Sequence, residues 1–120
     1  MRKYSKLNVD QLNVHPLRIP EGWTVNYNSF LEFDPLALNE EDDRWYLMSE
    51  SLLQLNHSKK SIMVDLGWYP DTSVEGNFSV DIIKNEDWEN PLDSYETKDY
   101  REVIRFIEST LKNITETQDI

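Results

Sequence analysis

The chain has 120 residues, of which 38% are apolar and 12% aromatic, and this composition predicts one folded domain with a sizeable core. It contains no cysteine, which excludes disulfides, thiol catalysis and cysteine metal sites. Its 23 acidic residues against 12 basic ones give a net charge of −11, which disfavours nucleic acid and anionic membrane surfaces as partners.

The acidic excess is concentrated in the middle of the chain. Residues 1–18 form a polar, net positive amino-terminal segment, whereas residues 19–97 carry a net charge of −13. We expect a single domain over residues 1–120, with the sheet and its loops in residues 19–97 and a helix in residues 98–115. Because no apolar run has the length of a signal or a membrane span, we expect a cytoplasmic protein.

Strand patterns begin after the glycine at residue 22. Alternating side chains over residues 23–33 predict a first strand. Residues 47–56 and 61–69, joined by a short polar link, predict an antiparallel hairpin. Residues 77–84 alternate most clearly, and a short edge strand is expected over residues 92–97.

The carboxyl-terminal part shows the helical period. Asp99 is a candidate N-cap, and Glu102 completes a pair resembling a capping box. The apolar stripe consists of Tyr100, Val103, Ile104, Ile107, Leu111 and Ile114.

These elements predict an α+β fold, an antiparallel sheet of four to five strands with one C-terminal amphipathic helix packed on one face. The other face would carry residues such as Ser79, Asp81 and Ile83 together with some tryptophans, and would be a natural interaction surface.

No motif points to catalysis. His15 and His57 are isolated from each other, and we expect them to be structural or solvated. The chain lacks a glycine-rich phosphate loop, a nucleophile elbow and metal-ligand spacing, so we expect no enzyme activity, catalytic residue, metal site, cofactor or small-molecule substrate. The alternative, an enzyme acting on a cationic or sugar substrate, would need a deep pocket with two convergent carboxylates.

Two tryptophans lie beside runs of acidic residues. An aromatic residue ringed by carboxylates suits a basic protein partner through ion pairing and cation–π contact. The alternatives are a solvated loop and a tryptophan that pins its loop to the core. The predicted partner-binding residues are Glu40, Glu41, Asp42, Asp43 and Trp45 in one cluster, and Glu86, Asp87, Trp88 and Glu89 in the other.

Residues 62–111 combine an Asp-Leu strand, a turn, a Gly-x-Phe strand, an acid-Trp loop and a closing amphipathic helix. This succession resembles small bacterial immunity proteins of contact-dependent growth inhibition and other polymorphic toxin systems. The resemblance implies a protein that binds a cognate, basic toxin domain, such as a nuclease, and blocks its active site. The alternative function is a small acidic adaptor or regulatory subunit that binds another host protein.

Overall fold

The computed structural model describes residues 12–117, which form one five-stranded sheet and one long helix. The strands are paired antiparallel in the order of the sequence, so the sheet is a meander. The α+β prediction, with a helix after the sheet, is thus confirmed. The elements are β1 Thr24–Asn28, β2 Leu53–His57, β3 Ile62–Tyr69, β4 Asn77–Lys84, β5 Asp93–Thr97 and α1 Tyr100–Glu116.

Two predicted strands are shorter than expected. The first covers only Thr24–Asn28, because the side chain of Asn28 accepts a hydrogen bond from the main-chain nitrogen of Phe30 and turns the chain inward. The second was predicted from residue 47 but begins at Leu53. Residues Asp43–Leu47 form a 3-10 helical turn instead, capped by the Asp42 side chain.

The core lies between α1 and one face of the sheet. Every second residue of the three central strands is buried there, for example Leu55, Val64 and Val80. The helix contributes Val103, Ile107, Leu111 and Ile114, while Tyr100 and Ile104 of the predicted stripe lie half-buried at its edge.

Side chains satisfy both ends of α1. The Asp99 carboxylate accepts from the main-chain nitrogen of Arg101 at 2.9 Å, as predicted for an N-cap. Glu102 accepts instead from the hydroxyl of Thr97, so the reciprocal half of the capping box is absent. At the other end, the Lys60 ammonium donates to the main-chain oxygens of Ile114 and Thr117, where a cation also complements the helix dipole.

Residues 12–18 of the amino-terminal segment pack along the domain. Residues 1–11, with most of its predicted basic charge, lie outside the described residues. His15 is buried between Phe30 and Tyr100, at ring-centre distances of 4.4 and 4.6 Å. His57, the last residue of β2, is also buried and meets Trp23 edge-on. Both histidines therefore have structural positions.

Candidate functional site

The first predicted cluster, residues 40–45, is largely a structural loop. Trp45 is only 7% exposed, and its indole packs 5.9 Å from Trp68 while donating to the main-chain oxygen of Asn39. The Arg44 guanidinium donates two hydrogen bonds to Asp42 and lowers the pKa of that carboxyl to about 2. The indole of Trp45 therefore belongs to the core, which agrees with the alternative that this tryptophan pins its loop, and a role of this cluster in partner binding stays a prediction. Within this cluster, Glu40 and Glu41 are exposed, and Asp43 is half-buried.

The second predicted cluster lies in an exposed loop between β4 and β5. The Trp88 side chain is 49% exposed, and Glu86, Asp87 and Glu89 around it are exposed as well. The main-chain nitrogen of Asp87 donates to the oxygen of Lys84 at 3.0 Å. Asn85 and Glu86 both have positive φ angles, 54° and 59°, which cost free energy in residues other than glycine. The loop thus presents its indole in a defined and locally strained conformation.

The two clusters do not form one surface. Trp45 packs near the end of β3 at Trp68, whereas the Trp88 loop follows Lys84, which pairs with Ile62 at the start of β3. Six residue steps along a strand separate Ile62 from Trp68, a distance of about 20 Å. The two predicted clusters therefore lie in separate parts of the molecule, and of their two indoles that of Trp88 is exposed and that of Trp45 is buried.

The face of the sheet that points away from α1, called here the open face, is acidic. Most of its central side chains are half-buried, and Ile83 is buried. Its strand positions include three carboxylates, Asp65, Asp81 and Glu96, and two tyrosines, Tyr27 and Tyr69, but neither lysine nor arginine. The sequence predicted tryptophans on this face, and in the described strands its aromatic residues are tyrosines instead. Trp68 points to the core.

One row of directly paired residues crosses the open face through all five strands: Tyr27, Gln54, Asp65, Asp81 and Ser94. The Tyr27 hydroxyl and the Gln54 amide both donate to the same carboxylate oxygen of Asp65, each at 3.2 Å. The Ser94 hydroxyl donates to Asp81. These hydrogen bonds fix two carboxylates opposite each other in the two central strands of the row.

A β-bulge places Tyr27 in this row. The register of β1 against β2 shifts between Val25 and Tyr27, so that Tyr27 pairs with Gln54. Without the extra residue, Asn26 would pair with Gln54 and Tyr27 would point to the core. The Asn26 amide instead donates to the Gln54 side chain at 2.8 Å and supports the row from outside.

The open face carries an uncompensated negative potential. Burial is the first cause that raises the pKa of Asp65, and the charge of Asp81 adds to it, while hydrogen bonds from Gln54 and Tyr27 act in the opposite direction. Burial and then the charge of Asp65 also raise the pKa values of Tyr27 and Tyr69. Like charges placed directly opposite in a sheet are destabilising, and the strands of this face offer no cation to offset them.

The surface around the row is shallow. A hollow of about 380 Å³ is bordered by Tyr69, Asp81 and Glu96, and a second of about 390 Å³ lies between Met63 and Glu86. The second hollow connects the open face to the Trp88 loop through Glu86. Among residues 12–117, no group of three or more histidine, aspartate or glutamate side chains is placed to hold a metal ion.

Asp81 was predicted from the sequence to lie on this face. The other acidic and tyrosine positions were not predicted there: Asp65, Tyr27, Tyr69 and Glu96. The position of Asp65 on this face could have been predicted, because it alternates along β3 with Val64 and Leu66, which are buried. Its pairing with Asp81 depends on strand register, which the pattern of one strand does not reveal.

Neither a family model, nor a curated protein, nor a solved structure matches this chain. Among the described residues, no helix has the length and apolar character required to cross a membrane.

Proposed function

We propose that this protein is an immunity protein, which binds a basic toxin domain and blocks its active site. The observation that carries the proposal is the pair of opposed carboxylates on the open face, Asp65 and Asp81, which no basic side chain of the described strands neutralises. A binding partner that supplies a cation there relieves a repulsion that the free protein carries. The resemblance of residues 62–111 to immunity proteins points in the same direction.

An arginine of the partner suits this site best. Its planar guanidinium can bridge two carboxylates with several donors, which a lysine ammonium cannot do in a fixed geometry. The Tyr27 hydroxyl donates to Asp65, and Tyr69 borders a hollow together with Asp81, so a bound cation would have tyrosine rings nearby for cation–π contact. Because hydrogen bonds already hold Asp65 and Asp81, binding orders few additional side chains.

The Trp88 loop would extend this contact at one end of the sheet. Its half-exposed indole is of the type that serves as an anchor in protein interfaces, and Glu86 joins the loop to the open face. The net charge of −11 would steer a basic toxin toward the complex and raise the association rate.

The test is binding to the toxin domain encoded beside this chain, with inhibition of that domain measured in parallel. We expect a dissociation constant of about 10 nM or lower, and a loss of about 100-fold or more in D81K, since an interfacial charge pair becomes a repulsion. E75K is the matched control, because Glu75 is an exposed acid in the turn between β3 and β4.

Two results would count against the proposal. If D81K binds as well as the wild type while E40K abolishes binding, the contact lies at the first loop and not on the open face. If the protein binds a neighbouring protein without inhibiting any activity of it, the adaptor function replaces the immunity function.

A further inference from the structure

A groove on the helix side of the molecule has the opposite charge to the open face. It lies between the amino-terminal segment and the outer surface of α1, and its volume is about 530 Å³. Arg18, Arg105 and Lys112 line it, together with the apolar side chains of Ile19 and Pro20. Arg105 and Lys112 are seven residues apart, which places them on one side of the helix two turns apart.

Among residues 12–117, the cations of the groove have no partner, whereas most of the other cations do. Nine lysines and arginines lie within residues 12–117, and four of them are engaged: Arg44 by Asp42, Lys60 by the end of α1, Lys98 by the oxygen of Gly76, and Arg101 by Asp99 and Asp34. In the same part of the chain, the charged groups of Arg18, Arg105 and Lys112 make no ion pair or hydrogen bond. Three of the five unengaged cations therefore meet in one groove.

The one acidic side chain that lines the groove already accepts a hydrogen bond. A carboxylate oxygen of Glu108 accepts a hydrogen bond from the main-chain nitrogen of Arg18 at 2.8 Å. This contact fastens the amino-terminal segment to α1 and forms the groove. Three positive side chains then surround a single carboxylate, so the groove has a local positive charge on a protein whose net charge is −11.

We propose that this groove binds an organic anion with an apolar body. Its carboxylate or phosphate head would lie among Arg18, Arg105 and Lys112, where charge-assisted hydrogen bonds are available. Its hydrocarbon part would lie on Ile19, Pro20 and the aliphatic stems of the basic side chains. The volume falls within the range of small-molecule sites.

This proposal does not rest on the proposed function. The groove is bounded by α1, which covers the face of the sheet opposite to the open face. Loss of toxin binding in D81K and loss of anion binding in the groove variants would therefore be separate results.

The test is an NMR titration of the ¹⁵N-labelled full chain with decanoate. We expect saturable shifts at the amides of Arg18, Ile19 and residues 105–112, with a dissociation constant of about 1 mM or lower for a ligand of this size. R105Q and K112Q should each weaken binding by about threefold to tenfold, since each removes one charge-assisted contact. Both substituted side chains are exposed, so the fold is not at risk.

Matched probes and a matched variant complete the test. Decyltrimethylammonium has the same chain with a cationic head and should not produce these shifts. K59Q removes an unengaged cation from the turn between β2 and β3 and should bind decanoate as the wild type does. Absence of saturation by decanoate, equal binding of the cationic probe, or equal weakening in K59Q would each overturn the proposal.

Discussion

Replacing Asp65 with asparagine should stabilise the fold while it weakens partner binding. The asparagine oxygen can accept the same two hydrogen bonds from Tyr27 and Gln54, and its amide then faces Asp81 as a donor. The substitution therefore replaces the repulsion between Asp65 of β3 and Asp81 of β4 with an attraction, and the side-chain volume hardly changes. We expect a free energy of unfolding higher by about 0.5–1 kcal/mol at neutral pH, the size of a cross-strand pair. The melting temperature would rise by about 2–5 °C.

The gain in stability of D65N should depend on pH, and the direction of that dependence follows from the pKa of Asp65. Burial and the charge of Asp81 raise the pKa of Asp65 above its ordinary value, so the folded protein holds this proton more tightly than the unfolded chain does. The stability that this group contributes is fully present below the unfolded pKa of about 3.8 and is lost as the pH rises through the folded pKa. D65N lacks this titrating carboxyl, so its stability does not fall in this way as the pH rises. Its advantage should therefore vanish near pH 3 and be complete above the raised pKa.

Urea unfolding of D65N, D71N and the wild type between pH 3 and pH 7 measures the effect. Asp71 is an exposed acid in the turn after β3, so D71N removes one unit of charge without touching the row. The reasoning is refuted if D65N is less stable than the wild type at pH 7, if D71N gains as much, or if the gain of D65N persists at pH 3.

Three further predictions concern the core and the loops. G76A should lower the free energy of unfolding by about 1–3 kcal/mol in urea titration, because a Cβ there would lie 2.3 Å from the indole nitrogen of Trp68; an unchanged midpoint would contradict this close approach. W45A should cost about 3–5 kcal/mol, and W88A within about 0.5 kcal/mol, since only the first indole is in the core; equal losses would show that one of these placements is wrong. Burial lowers the pKa of His15, so its contribution to stability is present above its ordinary pKa of 6.5 and is lost as the pH falls through the folded value. H15F should flatten this acid limb in thermal unfolding, and an unaltered limb would assign the loss to another group.

The periodicity of apolar residues correctly predicted the elements whose pattern can be recognised within a single segment of the chain. β4 has the predicted bounds of residues 77–84, and α1 begins after its predicted cap at Asp99, because alternation and the 3.6-residue stripe each continue to the end of these elements. The start of β2 was wrong because residues 43–52 are shaped by tertiary contacts. Trp45 and Met48 turn into the core there, and no local pattern separates this from a strand.

The candidate site was predicted only in part for the same reason. Exposure of Trp88 follows from a polar loop with turn residues, and the structure agrees. The row on the open face depends on the register between strands and on a bulge at residues 25–27. Neither can be predicted from the sequence of a single strand. A run of acids beside a tryptophan also does not reveal whether the indole is exposed, since Trp45 is buried and Arg44 pairs with Asp42 in the same loop.

A contact centred on strands has a thermodynamic advantage over one centred on loops. Asp65 and Asp81 are carried by the two central strands of the row and are held by neighbouring side chains before any partner arrives. Association then loses little additional conformational entropy at these positions, whereas exposed carboxylates such as Glu40 must be ordered on binding. The free protein carries the repulsion between the two carboxylates permanently, and a bound guanidinium removes it. The same pair thus lowers the stability of the free fold and raises the affinity of the complex, so D65N is expected to change the two quantities in opposite directions.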